Sequence, residues 1–268
     1  MATLNTVIWS VIGSSLAGTK HVKNGAPCQD AHHWLVHESG VLIVAVADGA
    51  GSAALSQFGS SIAVRAVVDY LADLITHSVP IDQSAMTTSF QIVREAIAEE
   101  ASKLGAEARA LACTLCVVLI AEDFCIQANV GDSAAIFKLM NGEVRAIVAP
   151  FKGEYANETA FVTDSSWLDN LVVARIEEAV MSVMVATDGL MDWSLRGLTV
   201  TSSFVLPILN FASTEGSEEE RLQQLNTFLG SPLVTSRVDD DVTLVLGHRF
   251  QETEPAEIPE FAPDSDQI

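Results

Sequence analysis

Hydrophobic and polar positions along the chain predict strands, then two helices, then strands again. Residues 41–47 (VLIVAVA) form an apolar run that ends in Asp-Gly, which is typical of a buried strand. Residues 52–76 carry apolar side chains at three- and four-residue spacing, and a cleaner stripe from Phe90 stops at Gly105, so two consecutive helices are expected. Further strands are predicted at 6–12, 111–121, 124–130, 134–140, 143–148, 171–176, 180–186 and 242–248.

The order of these elements indicates the fold class. Adjacent hairpins, one of them with an Asn-Gly turn, favour antiparallel sheets with helices outside them, an α+β layered domain and not a doubly wound one. A capping box at 217–220 predicts one more helix before the last strand. Residues 13–29 and 150–170 are expected to be irregular. We expect one domain over 1–250 and an acidic, Pro-containing disordered tail over 251–268.

The charge balance excludes several classes of partner. The 268 residues contain 14 Lys and Arg against 35 Asp and Glu, a net charge of −21, so binding to nucleic acid or to an anionic membrane surface is not expected. Apolar runs stay shorter than the roughly 18 residues of a membrane helix. Without a signal-peptide pattern or a disulfide spacing of its four cysteines, the chain is expected in the cytoplasm.

Aspartates recur where the predicted strands begin or end. Asp48 directly follows the run 41–47, and Asp132 and Asp188 follow two later strands. Ends of antiparallel neighbours lie at the same edge of a sheet, so these carboxylates are expected to converge there. Further candidates are Asp30 from a loop and Asp192 one turn beyond Asp188. Asp239, Asp240 and Asp241 immediately precede the last strand.

A carboxylate cluster of this kind predicts a metal site. Like charges at short range disfavour one another's ionised form, and Mg²⁺ or Mn²⁺ with oxygen ligands removes that penalty. Two such ions about 3.5–4 Å apart can bridge a hydroxide and hold a phosphoryl group for in-line attack. The alternative reading is structural, since Asp-Gly is among the commonest turn pairs.

Five segments resemble the motifs of metal-dependent Ser/Thr protein phosphatases of the 2C type. They occur in the family's order, and the resemblance covers roughly residues 6–248. The Cys-Gln-Asp start is more similar to a bacterial branch linked with Ser/Thr kinases and von Willebrand A-type proteins. The segments are PCQDA (27–31), VADGAG (46–51), ANVGDS (128–133), ATDGLMD (186–192) and DDVT (240–243).

The resemblance implies an αββα sandwich of two antiparallel sheets flanked by helix pairs, with two Mn²⁺ or Mg²⁺ ions at one edge. Asp48 would bridge both ions, and the Gly49 carbonyl would bind the second. Asp188 and Asp240 would hold the first ion. Asp132 and Asp192 match positions used for a third, weaker ion. Asp30 would orient a metal-bound water.

The chain departs from the family pattern beside these ligands. Gln29 stands where a Glu usually contributes to the second ion, and Gly25 stands where an Arg usually binds phosphate. His21 or Lys23 could supply the positive contact, although both also fit a solvated loop. Asn157 lies in a long segment where the family carries a flap over the site, and an Asx-turn explains it equally well.

The resulting hypothesis is a protein Ser/Thr phosphatase that hydrolyses phosphoserine and phosphothreonine by in-line attack of a water bridging two ions. Its partners would be phosphorylated proteins, including a partner Ser/Thr kinase or its substrates. The alternative is a pseudophosphatase or regulatory binding module of the same fold, motivated by Gln29 and the missing Arg.

Overall fold

Two five-stranded antiparallel sheets form the centre of the molecule. The computed structural model describes residues 7–147, 159–197 and 199–250, without the side chain of Asp192; the predicted tail at 251–268 lies outside them. One sheet has the order β1-β12-β9-β6-β7 and the other β2-β3-β4-β5-β8, with a two-stranded β10-β11 ribbon apart from them. The strands are β1 (Ile8–Leu16), β2 (Ala31–Val36), β3 (Leu42–Ala47), β4 (Leu115–Ile120), β5 (Cys125–Val130), β6 (Ala134–Leu139), β7 (Val144–Ile147), β8 (Val172–Ile176), β9 (Val180–Ala186), β10 (Leu195–Arg196), β11 (Thr199–Val200) and β12 (Val242–Phe250).

Helices cover the outer faces of both sheets. Two long ones, α2 and α3, follow each other as the spacing predicted, and α7 begins at the capping box of Ser217 and Glu220. The helices are α1 (Thr19–Asn24), α2 (Ser56–Thr76), α3 (Gln83–Lys103), α4 (Trp167–Asn170), α5 (Asp188–Ser194), α6 (Ser202–Phe211), α7 (Glu218–Leu229) and α8 (Pro232–Thr235). In the described part of the chain, no helix combines the length and the apolar character that crossing a membrane requires.

The strand β3 explains how four layers arise. Leu42, Val44 and Val46 pack into the core between the two sheets, whereas Ile43 and Ala45 pack toward α2 and α3. Alternate residues of a strand face opposite sides, so a strand covered on both faces must be apolar throughout. This double burial accounts for the uninterrupted run that follows Val41.

The second sheet repeats the arrangement with β12. Val245 faces the core between the sheets, while Leu244 and Leu246 contact residues of α6 and α7, including Leu209 and Leu225. The layers are therefore helix, sheet, sheet and helix. The predicted αββα sandwich is confirmed.

Several segments differ from the sequence prediction. Residues 13–29, expected to be a loop, contain the end of β1 and the whole of α1. The strand extends into this segment because β1 stays paired with β12 as far as Leu16 and Val242. The helices α5 and α6 were not predicted either. The second of them is short and contains Pro207, so it lacks the long amphipathic spacing on which the prediction relied.

Gly59 of α2 allows this helix to approach the turn before β4. A Cβ atom at this position would overlap the backbone carbonyl oxygen of Leu111. We expect Gly59→Ala to lower the free energy of unfolding by about 3 kcal/mol, at the upper end of overpacking costs, because a backbone atom cannot rotate away. Thermal denaturation measures the change. Gly51→Ala is the matched control, since its Cβ would meet open space, and equal melting temperatures for both variants would contradict the assignment.

Candidate metal centre

Three carboxylates meet where the two sheets share an edge. Asp48 follows β3, Asp132 follows β5, and Asp188 begins α5 directly after β9. One oxygen from each lies within 4.8 Å of the others; Asp48 is half-buried, and the other two are exposed. Because β3 and β5 belong to one sheet and β9 to the other, the group joins both sheets.

Backbone contacts fix Asp48 and Asp132 in this group. The Asp48 N–H donates to the hydroxyl of Thr114 at 2.9 Å, and the Thr114 N–H donates back to the Asp48 carbonyl at 2.8 Å. Gly131, with φ +114°, turns the chain before Asp132, and a Cβ there would lie 2.5 Å from the Thr114 side chain. Asp132 also accepts a hydrogen bond from the Thr159 hydroxyl at 2.8 Å.

Asp30 lies beneath this group and is buried. Its Oδ2 accepts a hydrogen bond from the Thr187 hydroxyl at 2.8 Å, whereas its Oδ1 is buried without a hydrogen-bond partner. Burial raises the pKa of Asp30, against the nearby hydroxyls of Thr187 and Thr243, which lower it. Thr187 and Thr243 were not among the predicted site residues; their hydroxyls became relevant only once β9 and β12 were seen to be neighbours.

The electrostatics of the cluster favour a cation. Burial raises the pKa of Asp48 strongly, and its carboxylate neighbours, Asp30 first and then Asp188, raise it further. Carboxylate oxygens are hard donors suited to Mg²⁺ and Mn²⁺. The unpartnered Oδ1 of Asp30 and the three converging carboxylates therefore fit a divalent ion by the chemistry of the donor set.

Asp240 lies in a neighbouring group. Among the described side chains, its carboxylate is grouped with His21 and Asp241, within 4.8 Å, and not with the three carboxylates above. The two groups are adjacent, since Thr187 donates its N–H to the Thr243 carbonyl at 3.2 Å. The sequence prediction had assigned Asp188 and Asp240 to the same ion.

Gln29 occupies the place of the expected glutamate. Its Oε1 is buried and has no hydrogen-bond partner. The residue packs on Gly49, where a Cβ would lie 2.5 Å from the Gln29 carbonyl oxygen. An amide oxygen is thus held beside the backbone of a predicted ligand.

The predicted phosphate contacts separate in the structure. His21 is buried on α1 with its Nδ1 2.7 Å from Asp241, whereas Lys23 on the same helix is exposed. Asn157 and the side chain of Asp192 lie outside the described residues.

Known proteins provide an independent comparison. A family model described as Protein phosphatase 2C matches residues 17–230, a stretch that ends before Asp240. A curated protein of Escherichia coli (strain K12), "Serine/threonine-protein phosphatase 3", is 30% identical over 247 residues, which cover 89% of this chain and 97% of that protein. The sequence similarity therefore runs through nearly the whole of both chains.

Solved structures share the fold. The catalytic domain of serine threonine protein phosphatase PstP, in complex with 2 manganese ions, aligns with a TM-score of 0.60 at 18% identity and covers 92% of this chain and 100% of its own. The serine/threonine phosphatase Stp1 of Staphylococcus aureus aligns with a TM-score of 0.58 at 17% identity, over 90% and 95% of the two chains. At these identities the likeness establishes the architecture.

The raised pKa values make the stability of the metal-free protein depend on pH. Asp30 and Asp48 bind protons more tightly when folded than when unfolded, so the free energy of unfolding falls as pH rises above about 4, the ordinary carboxyl pKa. Mn²⁺ binds the deprotonated carboxylates, and we expect it to raise the melting temperature more at about pH 8 than at about pH 5. Melting curves with Mn²⁺ and with a chelator measure both effects.

Two variants isolate the contribution of the cluster from that of the overall negative charge. Asp48→Asn should flatten the pH dependence and remove most of the Mn²⁺ response. Asp123→Asn, on an exposed turn, should behave as the parent does. A Mn²⁺ response that is the same in Asp48→Asn as in the parent would exclude this cluster as the metal centre.

Proposed function

The chain belongs to the protein phosphatase 2C family and is a protein serine/threonine phosphatase, and we propose that it hydrolyses phosphoserine and phosphothreonine esters with two divalent ions, Mn²⁺ or Mg²⁺, held at this centre. The observation that carries the proposal is the convergence of Asp48, Asp132 and Asp188 within 4.8 Å beside the buried, unpartnered oxygen of Asp30. No observation favours the alternative of an inactive binding module.

The proposed ligands are the carboxylates of Asp48, Asp188 and Asp240 and the carbonyl of Gly49. Asp48 and Asp188 come together from different sheets. Asp240 precedes β12, and the pairing of β12 with β9, the strand that leads to Asp188, supports its inclusion. Asp132 contributes to a further, weaker ion; a role for Asp192 there stays a prediction.

Divalent ions supply Lewis acidity and an activated nucleophile at neutral pH when they are bound. Asp30 orients the attacking water: Thr187 holds its Oδ2, which leaves Oδ1 to accept a hydrogen bond. Lys23, exposed on α1, supplies a positive charge toward the substrate phosphate as a point charge without bidentate geometry. His21 is directed to Asp241 at its Nδ1, and Asn157 stays a predicted contact.

The substrates we propose are phosphorylated proteins, including a partner Ser/Thr kinase or its targets, as the resemblance to the bacterial branch suggests. The cytoplasmic location expected from the sequence stays a prediction.

Mn²⁺-dependent phosphate release from a phosphothreonine peptide tests the function. We expect the parent to be active and Asp48→Ala and Asp240→Ala to lose at least about 100-fold in kcat/KM, beyond the range typical for loss of an outer-shell partner. Asp123→Ala, on an exposed turn, is the control and should keep the parent's activity. A folded parent without activity in Mn²⁺ or Mg²⁺ would count against the proposal and in favour of a binding module.

Gln29→Glu tests the second ion. The carboxylate places a charged donor where the buried Oε1 now lies, so we expect the weaker of two Mn²⁺ dissociation constants to fall about tenfold. The metal-free variant should melt at a lower temperature than the parent, because one more carboxylate joins the cluster. Calorimetric titration measures the affinity, with Gln83→Glu at the exposed start of α3 as the control. An unchanged affinity would place Gln29 outside the ion's reach.

A further inference from the structure

One buried carboxylate accepts hydrogen bonds from three residues of the segment between β1 and β2. Asp241, 3% exposed, accepts hydrogen bonds at Oδ1 from the Gly18 N–H and from His21 Nδ1, each at 2.7 Å. Its Oδ2 accepts from the Gln29 N–H at 2.6 Å. The three donors are spread over the β1–β2 connection, residues 17–30, and they provide the partners that a buried carboxylate requires.

Close packing also holds the first part of the β1–β2 connection, around Gly18, in place. The Lys20 N–H donates to the Asp239 carbonyl at 3.0 Å. A Cβ at Gly18 would overlap the backbone carbonyl group of Asp240, so only glycine permits this approach. The β1–β2 connection is thus pressed against the residues that lead into β12.

The last part of the connection touches the other sheet. The Gln29 carbonyl accepts a hydrogen bond from the Ser60 hydroxyl on α2 and lies against Gly49, which follows Asp48. The backbone of Gln29 is therefore held through its N–H by Asp241 and through its carbonyl by α2. It links the start of β12 in one sheet to the turn after β3 in the other.

We propose that Asp241 is a positioning residue: by holding Gly18, His21 and Gln29 it fixes Asp30 and Gln29 against Asp48 and so sets how tightly the centre takes divalent ions. The effect on ion affinity rests on the proposed metal centre, whereas the positioning itself rests on the hydrogen bonds described above. In this proposal, His21 helps to hold the β1–β2 connection through the hydrogen bond from its Nδ1 to Asp241.

The three donors favour a carboxylate at this position. Both oxygens of Asp241 only accept hydrogen bonds, and each of the three groups described above donates to them. An asparagine would turn its NH₂ toward either Gly18 or Gln29. In each orientation one backbone N–H loses its acceptor.

Asp241→Asn tests the attachment, with Asp239→Asn, the same change two residues earlier at an exposed position, as the matched control. Three quantities are measured: amide hydrogen exchange of residues 17–30, the Mn²⁺ dissociation constant by calorimetry, and kcat and KM. We expect exchange to quicken and Mn²⁺ affinity to fall about tenfold or more, the size typical for loss of an outer-shell partner, with kcat lowered more than KM is raised. Asp239→Asn should match the parent in all three.

Two substitutions of His21 separate its ring nitrogens. An asparagine side chain places its NH₂ near the position of Nδ1, and a glutamine side chain places it near that of Nε2. We expect His21→Asn to keep parent-like exchange and Mn²⁺ affinity, and His21→Gln to lose both. These variants also give the answer if Asp241→Asn fails to fold.

Two results would overturn the proposal. The first is hydrogen exchange and Mn²⁺ affinity in Asp241→Asn equal to those of the parent. The second is a raised KM in His21→Asn together with parent-like hydrogen exchange and Mn²⁺ affinity in His21→Gln. The second result would assign His21 to the substrate phosphate. Faster exchange and weaker Mn²⁺ binding in Asp241→Asn, in a protein without phosphatase activity, would support the positioning role while the proposed function failed.

Discussion

The repulsion between carboxylates at the shared edge of the two sheets is the constraint around which the site is organised. Asp48 and Asp188 arrive from different sheets, and the buried Asp30 lies close enough to raise the pKa of Asp48. The fold keeps them together because each is attached to rigid backbone at the end of a strand, so the side chains have little room to separate. Such an edge stores unfavourable electrostatic energy, which a divalent cation relieves on binding.

The rigidity of this edge comes from the double burial of the central strands. β3 packs with Val44 toward one layer and Ala45 toward the other, and β12 does the same with Val245 and Leu244. A strand held on both faces cannot slide by one residue without turning every side chain to the wrong side. The register that keeps the apolar side chains in the core therefore also places the acidic residues at the strand ends.

Asp48, Asp132 and Asp188 were predictable from the sequence because apolar runs mark strands, and strand ends of antiparallel neighbours share an edge. The roles of Asp241 and Gly18 were not, since they depend on which backbone N–H groups approach from a segment more than 200 residues away. That segment has no hydrophobic periodicity, so α1 within it was predicted as loop. The αββα layering was predicted from the family resemblance, whereas α6 was identified only in the structure.

Pairing of the first described strand with the last has a consequence for biosynthesis. Ile8 lies opposite Phe250, and Leu16 lies opposite Val242, so β1 finds its partner only after nearly the whole domain has been made. Contacts of such high sequence separation form slowly, and a chain emerging from the ribosome cannot make them early. Because Asp240 and Asp241 directly precede β12, the proposed centre would be completed only in that final step. A growing or truncated chain would thus remain without a finished centre until its last strand joins the sheet.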